Sequence, residues 1–298
     1  MAEGTRRIRY ILEGAVAWIV FGFFGLLSLD QASDLGGWLG RVIGPRLRVS
    51  QVARRNLAHA FHEKTPSQIK KLVTAMWDNL GRVMAEYPHL NQIRLYDEDG
   101  KWPGRVTVEG AKYLDLLRDD GKPGIFFSAH LGNWEINAMS AVQRGLPLTL
   151  VYRAPNNPLA DALIRRARSS ITQSFAAKGA TGARDSLRVL KNGGHLALLA
   201  DQKMNDGIAL PFFGREAMTG SALAQLALKF GCPVVPAKVV RKDGARFCIT
   251  LYPPLKMPAS GNRLADVKAV TTKVNELIEG WVRENPEQWM WVHRRWPD

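Results

Sequence analysis

Cysteine is nearly absent: Cys232 and Cys248 are the two in 298 residues, and neither has a partner at metal-ligating or redox spacing. They read as small core hydrophobes in a reducing compartment. Other signatures are missing too. There is no Gly-x-Ser-x-Gly elbow, no Walker loop and no Gly-x-Gly-x-x-Gly turn, which removes the common serine-hydrolase, nucleotide-triphosphate and dinucleotide readings. No histidine pair matches a zinc-binding helix, so no metal or other cofactor is expected. Acid is scarce: 27 Asp and Glu stand against 41 Lys and Arg, a formal net charge of +14. Such a surface attracts anions, whether nucleic acid, acidic lipid headgroups or an acidic protein. The arginines attach to no recognisable nucleic-acid module, so nucleic acid is not expected as a partner. No internal repeat or low-complexity tract is present.

What the chain has is one long apolar run. Tyr10 to Leu29 carries a single charge, Glu13, and twenty helical residues span about 30 Å, the thickness of a bilayer core. Arg6, Arg7 and Arg9 precede it, but the shorter core and cleavage site of a signal peptide are lacking. The spacing predicts a retained membrane helix. Arg41, Arg46, Arg48, Arg54 and Arg55 follow it, which places the main domain on the cytoplasmic side. Charge on both flanks also permits a helix that dips into one leaflet.

Short amphipathic helices are expected over Asp34–Ile43 and Gln51–Phe61. Thr65-Pro66-Ser67-Gln68 opens a further helix with a capping box and runs to about Tyr87, before Pro88. His59, His62 and His89 read as surface histidines. From Arg105 the pattern changes to strands alternating with helices. Strands are expected at Arg105–Val108, Gly124–Ala129, Leu146–Arg153 and His195–Ala200, and Ile208–Phe213 is an apolar run. Val234–Val240 and Phe247–Tyr252 are expected as two further strands, a hairpin with Lys242-Asp243-Gly244 between them. Helices fill the intervals, and the last runs over Asn262–Glu284. This predicts an α/β fold: a mixed, mainly parallel sheet flanked by helices, with an N-terminal membrane-associated helix. Three parts are expected: the membrane helix at 1–30, a helical, interface-associated region at 31–100, and the α/β core at 101–298. The tail Trp-Met-Trp-Val-His-Arg-Arg-Trp (289–296) mixes aromatic and cationic side chains and is expected against lipid headgroups.

The chemistry concentrates in Ser128-Ala129-His130-Leu131-Gly132-Asn133-Trp134-Glu135. An apolar strand ends in a histidine, and Asn133 is placed to cap a helix whose first turn holds Trp134 and Glu135. On one continuous helix, residues five apart lie roughly 140° from each other. On a strand-loop-helix corner, His130 can fold back to bond Glu135. One imidazole nitrogen then remains free as a base, the orienting half of a triad whose nucleophile the substrate supplies. A strand-end histidine and a glutamate serving the helix dipole explain the same two residues without catalysis. Arg153 and Asp201-Gln202 stand at the ends of two further strands, and in one parallel sheet such ends converge on one crevice. Arg153 offers a fork-shaped cation for phosphate or carboxylate.

These residues resemble a known family. His130-Leu131-Gly132-Asn133-Trp134-Glu135 is similar to the His-x4-Asp/Glu signature of glycerolipid acyltransferases, and more narrowly to lipid A biosynthesis acyltransferases of the lauroyl/myristoyl type. Tyr152-Arg153, Asn156-Asn157-Pro158, Asp201-Gln202, Pro211-Phe212-Phe213-Gly214, Thr219-Gly220 and the tail from Pro286 to Trp296 complete the likeness, which covers nearly the whole chain. The resemblance implies an enzyme of the bacterial inner membrane that needs no metal. It would move an acyl chain from a thioester, usually on acyl carrier protein and otherwise on acyl-CoA, to a hydroxyl of an anionic glycolipid. His130 would be the base and Glu135 its orienting partner. Arg153 would bind acceptor phosphate or the oxyanion, and the backbone N–H groups of Gly132 and Asn133 would add oxyanion donors. Trp134, Tyr152, Asp201 and Gln202 would shape the substrate site, and Phe212 and Phe213 would line an acyl groove.

Overall fold

The computed structural model describes residues 3–96, 104–172, 174–177 and 179–296. The boundary expected between 100 and 101 lies outside the described residues. Four helices come first: α1 (Glu3–Gly25), α2 (Leu29–Ile43), α3 (Ser50–Ala60) and α4 (Pro66–Glu86), followed by a 3-10 segment, Tyr87–Gln92. The α/β part then runs β1 (Val106–Glu109), α5 (Lys112–Asp119), β2 (Gly124–Ser128), α6 (Glu135–Val142), β3 (Leu148–Tyr152), α7 (Pro158–Ala167) and β4 (Phe175–Ala177). It continues with α8 (Ala180–Lys191), β5 (His195–Leu199), β6 (Lys203–Phe212), β7 (Arg215–Thr219), α9 (Ala222–Phe230), β8 (Val234–Asp243), β9 (Arg246–Leu251) and α10 (Arg263–Glu284).

Seven strands form one sheet in the order β1-β9-β8-β2-β5-β3-β4. The β8–β9 hairpin is its antiparallel pair, and the other five neighbouring pairs are parallel. The expected mixed, mainly parallel sheet is therefore what forms. Central β2 is buried along its whole length, as a parallel strand covered on both faces must be. Phe127 faces one core layer with α9 and α10, and Phe126 the other with α5 and α6. The first layer also takes Leu57 of α3 and Val73 and Met76 of α4, so the helical region and the sheet share a core.

Several local expectations shift. The apolar run is not one helix to Leu29: α1 stops at Gly25, and α2 starts from a capping box in which Ser28 Oγ accepts from the Gln31 N–H and Gln31 Oε1 from the Ser28 N–H. α2 and α4 cross closely because glycines face each other; a Cβ on Gly36 would sit 2.5 Å from Gly81 O. The apolar run at Ile208–Phe213 covers the second half of β6, which pairs with β7, a strand that periodicity did not show. The loop is two residues, Phe213 (φ 53) and Gly214 (φ 71), the left-handed pair of a tight hairpin. Phe213 tolerates that conformation because its ring packs against Phe61 and Trp291, and its N–H donates to Glu279 Oε2 at 2.6 Å.

The tail is not a lipid-facing segment. Trp289 and Trp291 are fully buried, Trp296 nearly so, and their rings cluster with Phe212 and Phe213. Burial of this much aromatic surface outweighs any gain at a membrane interface. Arg295 is enclosed with them, stacked on Phe212 and donating to Met218 O, Thr219 Oγ1 and Asn275 Oδ1. Burial pushes its guanidinium down to about 10. His89 is likewise no surface residue. It is buried, and its Nε2 donates to Phe24 O at 2.9 Å, tying the 3-10 segment to the end of α1.

α1 lies along the protein rather than standing free of it. Asn157 Nδ2 donates to Tyr10 O, Gly14 abuts Leu159 of α7, the Arg166 guanidinium covers the Trp18 ring, and Gly25 meets Pro88. The opposite face exposes Ile8, Ile11, Leu12, Val16, Ile19, Val20 and Phe23.

Candidate active site

β2 and β5 run parallel with Ser128 opposite Leu199, and the Ala200 N–H donates to Ser128 O at 2.9 Å, carrying the ladder one residue past the end of β5. Two residues beyond that register stand His130 and Asp201. Here His130 Nδ1 donates to Asp201 Oδ1 at 2.7 Å, and the His130 backbone N–H donates to Oδ2 at 2.8 Å. A third donor, Trp289 Nε1, reaches Oδ2 at 2.7 Å. Burial alone would raise the Asp201 carboxyl, but the His130 charge and hydrogen bonds outweigh it and hold it well below the usual carboxylate range. An ionised carboxylate only accepts, so Nδ1 carries the imidazole proton and Nε2 is left as the basic nitrogen.

His130 lines a cavity of about 840 Å³ that lies across the carboxyl ends of β2, β5 and β3. That volume lies within the ~300–1,000 Å³ typical of ligand sites. Its walls are mainly apolar. One part is walled by Leu187 of α8, Leu223 and Leu226 of α9 and Leu198 of β5; another by Ala138 of α6, Ile164 of α7, Phe126 of β2 and Leu150 of β3. Tyr152, Arg153 and Gln202 line it as well. Arg153 is exposed and makes no hydrogen bond or ion pair with the described residues. Tyr152 donates its hydroxyl to Asp161 Oδ1 at 3.0 Å. The convergence of three strand ends thus appears in the fold, with Asp201 directly behind His130.

Glu135 takes a different place from the one expected. It does not bond His130. Its carboxylate accepts from Arg168 Nε at 2.7 Å and Nη2 at 2.6 Å, and from the Tyr87 hydroxyl at 2.7 Å. Burial works against its charge, but the Arg168 guanidinium prevails and keeps the carboxyl below its ordinary range. The same burial, with Glu135 alongside, drives the Tyr87 hydroxyl far up. The physical reason is the corner itself: α6 starts at Glu135 and turns the carboxylate toward Arg168, just past the end of α7. The orienting carboxylate came instead from the neighbouring strand.

Three further expectations are corrected. The Gly132 N–H donates to Gln288 O at 3.1 Å, so it is no free oxyanion donor. Gly132 is needed for another reason: its φ is 56°, and a Cβ there would meet Val239 O at 2.7 Å. The helix cap is Trp134; Asn133 sits one residue earlier, where its Oδ1 accepts from the Glu135 N–H while its Nδ2 donates to Glu86 Oε2. Phe212 and Phe213 belong to the buried tail cluster and are not among the cavity's lining residues. Trp134 does line the cavity, its ring centroid 5.2 Å from that of His130.

Sequence reasoning missed Arg168, Tyr87, Trp289 and His293. His293 Nδ1 donates to Met290 O at 2.6 Å, its Nε2 has no partner among the described residues, and burial pushes its imidazole down to about 4. Periodicity carried no sign of them: Arg168, Tyr87 and Trp289 bond residues far away in the chain, and the burial of His293 depends on the tertiary fold.

A family model described as bacterial lipid A biosynthesis acyltransferase matches residues 2–298. Among curated proteins, the chain is 24% identical over 290 residues to the lipid A biosynthesis lauroyltransferase of Escherichia coli, covering 94% of this chain and 90% of the relative. It is 25% identical over 271 residues to the palmitoleoyltransferase of the same organism, covering 88% and 83%, and 24% identical over 260 residues to the myristoyltransferase, covering 85% and 77%. Among solved structures, the 1-acyl-sn-glycerophosphate acyltransferase of Thermotoga maritima matches with a TM-score of 0.36 and 13% identity, over 84% of this chain and 98% of that one.

Proposed function

The chain belongs to the bacterial lipid A biosynthesis acyltransferase family, and from that premise we propose that it transfers a fatty acyl chain from a thioester to a hydroxyl of a lipid A precursor at a membrane surface. The observation that carries this reading is the His130–Asp201 pair, with one imidazole nitrogen fixed as donor and the ring lining a largely apolar cavity. His130 Nε2 takes the proton of the acceptor hydroxyl as its oxygen attacks the thioester carbonyl carbon. The C–S bond breaks as the tetrahedral intermediate collapses, and the proton held on Nε2 passes to the departing sulfur. An ester and a thiol result. Asp201 stabilises the imidazolium between these steps. Arg153, a cation at the cavity without a partner among the described residues, binds acceptor phosphate or the developing oxyanion. The apolar walls between α8 and α9 suit the acyl chain.

The donor is carried on acyl carrier protein or coenzyme A, and the net charge of +14 favours an acidic donor of either kind. The exposed apolar face of α1, with Arg6, Arg7 and Arg9 at its start, supports membrane binding. Contacts from Tyr10 to Gly25 hold α1 on the catalytic domain, which favours insertion into one leaflet over a full crossing. The arginines after the apolar segment support the cytoplasmic face of the inner membrane. Purified protein in mixed micelles, offered carrier and CoA thioesters with lipid A precursors, tests the reading. Mass spectrometry should find one acyl group added, and His130→Ala should lose about 10²–10⁴-fold in rate. Wild-type protein that acylates no precursor with any donor, or undiminished transfer by the variant, would refute it.

A further inference from the structure

Beneath the loop that carries His130 lies a buried polar cluster with no part in the chemistry above. Glu86, at the end of α4, is completely enclosed. It accepts from Arg241 of β8 through both terminal nitrogens, with Nη2 to Oε2 at 3.0 Å, from Ser33 Oγ of α2 at 2.7 Å and from Asn133 Nδ2 at 2.8 Å. About two turns earlier on α4, Asn79 Nδ2 donates to Gly132 O at 3.1 Å and to Gln288 O at 3.2 Å, and its Oδ1 accepts from Arg241 Nε at 2.9 Å. The Gln288 side chain pairs with the Arg241 backbone, accepting from its N–H at 2.7 Å and donating to its C=O at 2.9 Å. Loop and tail then join directly: the Gly132 N–H donates to Gln288 O and the Met290 N–H to His130 O at 3.0 Å.

The Gly132 N–H and C=O and the Asn133 Nδ2 are therefore held by the tail and α4, and Arg241 of β8 braces the side chains that hold them. Burying a charge pair costs several kcal/mol of desolvation, and well-packed apolar residues often serve stability as well. The hydrogen-bond geometry is what an apolar substitute cannot supply.

We propose that Glu86, Arg241 and Asn79 are positioning residues, a clamp in the helical region that fixes the His130 loop so that the imidazole meets Asp201 and the cavity in register. Resting on the acyl-transfer reading for its kinetic consequence, the proposal has a structural consequence independent of it. A misplacement of about 1 Å at a reacting group costs on the order of 10²-fold in rate.

The test uses the full-length protein in detergent. In Glu86→Gln/Arg241→Met both charges go together and the volume is kept. The double variant is expected to stay folded, lose 30–100-fold in kcat per folded molecule and keep KM for the thioester within about threefold. Asn79→Ala leaves the ion pair intact and provides the second variant should the first not fold; a 10-fold or greater loss in kcat is expected. The independent readout is the downfield proton resonance of His130 Nδ1–H, assigned by its disappearance in His130→Ala. It should broaden or shift in the clamp variants. Wild-type kcat and an unmoved resonance in folded Asn79→Ala would overturn the clamp. A wild-type protein showing the resonance but no transfer would overturn the acyl-transfer reading and leave the clamp to be judged on the resonance alone.

Discussion

His130 and Asp201 are 71 residues apart in the chain and meet at 2.7 Å because two parallel strands end in the same register. The carboxylate receives three donors on two oxygens, one of them the indole of Trp289. In Asp201→Asn only one oxygen remains to accept, and an NH2 group confronts at least one of those donors. The imidazole tautomer is then no longer fixed. We expect kcat to fall about 10³–10⁴-fold with little change in KM, as loss of a carboxylate behind a catalytic histidine does elsewhere. Steady-state rates with a carrier thioester check this, and a loss under tenfold would mean that Asp201 only supports the backbone.

Glu135 and Arg168 lead to a contrasting expectation. Their side chains are 3% and 13% exposed, so removing one partner leaves a largely enclosed charge without its counter-ion at the cavity wall. Arg168→Ala should destabilise the protein by about 3–5 kcal/mol, whereas Glu135→Gln/Arg168→Met should recover most of that loss. Urea unfolding of the three proteins measures it. Glu135→Gln should also leave the His130 Nδ1–H resonance in place, because Asp201 holds that proton. Loss of the resonance in Glu135→Gln would restore the glutamate as the partner of the histidine.

The strand pattern, the parallel sheet and the gathering of His130, Arg153 and Gln202 at one edge were legible because each follows from local periodicity and from the rule that parallel strand ends share a crevice. The pairing within the site was not. Glu135 is five residues from His130 and Asp201 is 71, and proximity in sequence favoured the wrong carboxylate. Strand order was needed: β5 lies beside β2, so Asp201 falls opposite His130. Phe212 and Phe213 misled for a related reason. Their apolar character fits a groove or a core equally, and the partners that decide for the core, Trp289, Trp291 and Trp296, arrive some 80 residues later.

α1 offers a test of membrane binding that leaves the fold alone. Val16 and Ile19 are 60% and 70% exposed, three residues apart on one face. Burying two such side chains in lipid contributes about 3–6 kcal/mol. Val16→Glu/Ile19→Glu should therefore bind anionic vesicles at least a hundredfold more weakly in cosedimentation, with an unchanged melting temperature. Equal binding by the variant would show that lipid does not contact this face.

His293 makes stability depend on pH in a known direction. Burial holds its imidazole at about 4 in the folded protein, against about 6.5 in an unfolded chain. Between those values the unfolded state binds more protons, so the stability that His293 contributes is complete above pH 6.5 and is lost as pH falls toward 4. A difference of that size corresponds to roughly 3 kcal/mol over the window. Asp201 and Glu135, held below the ordinary carboxylate range, act in the same direction but at lower pH. His293→Asn removes the titration and retains a donor for Met290 O, the partner of Nδ1. Unfolding free energies from pH 4.5 to 7 should rise more steeply with pH in the parent than in the variant, by up to that amount. Parallel curves would mean that His293 is as easily protonated in the folded protein as in the unfolded chain.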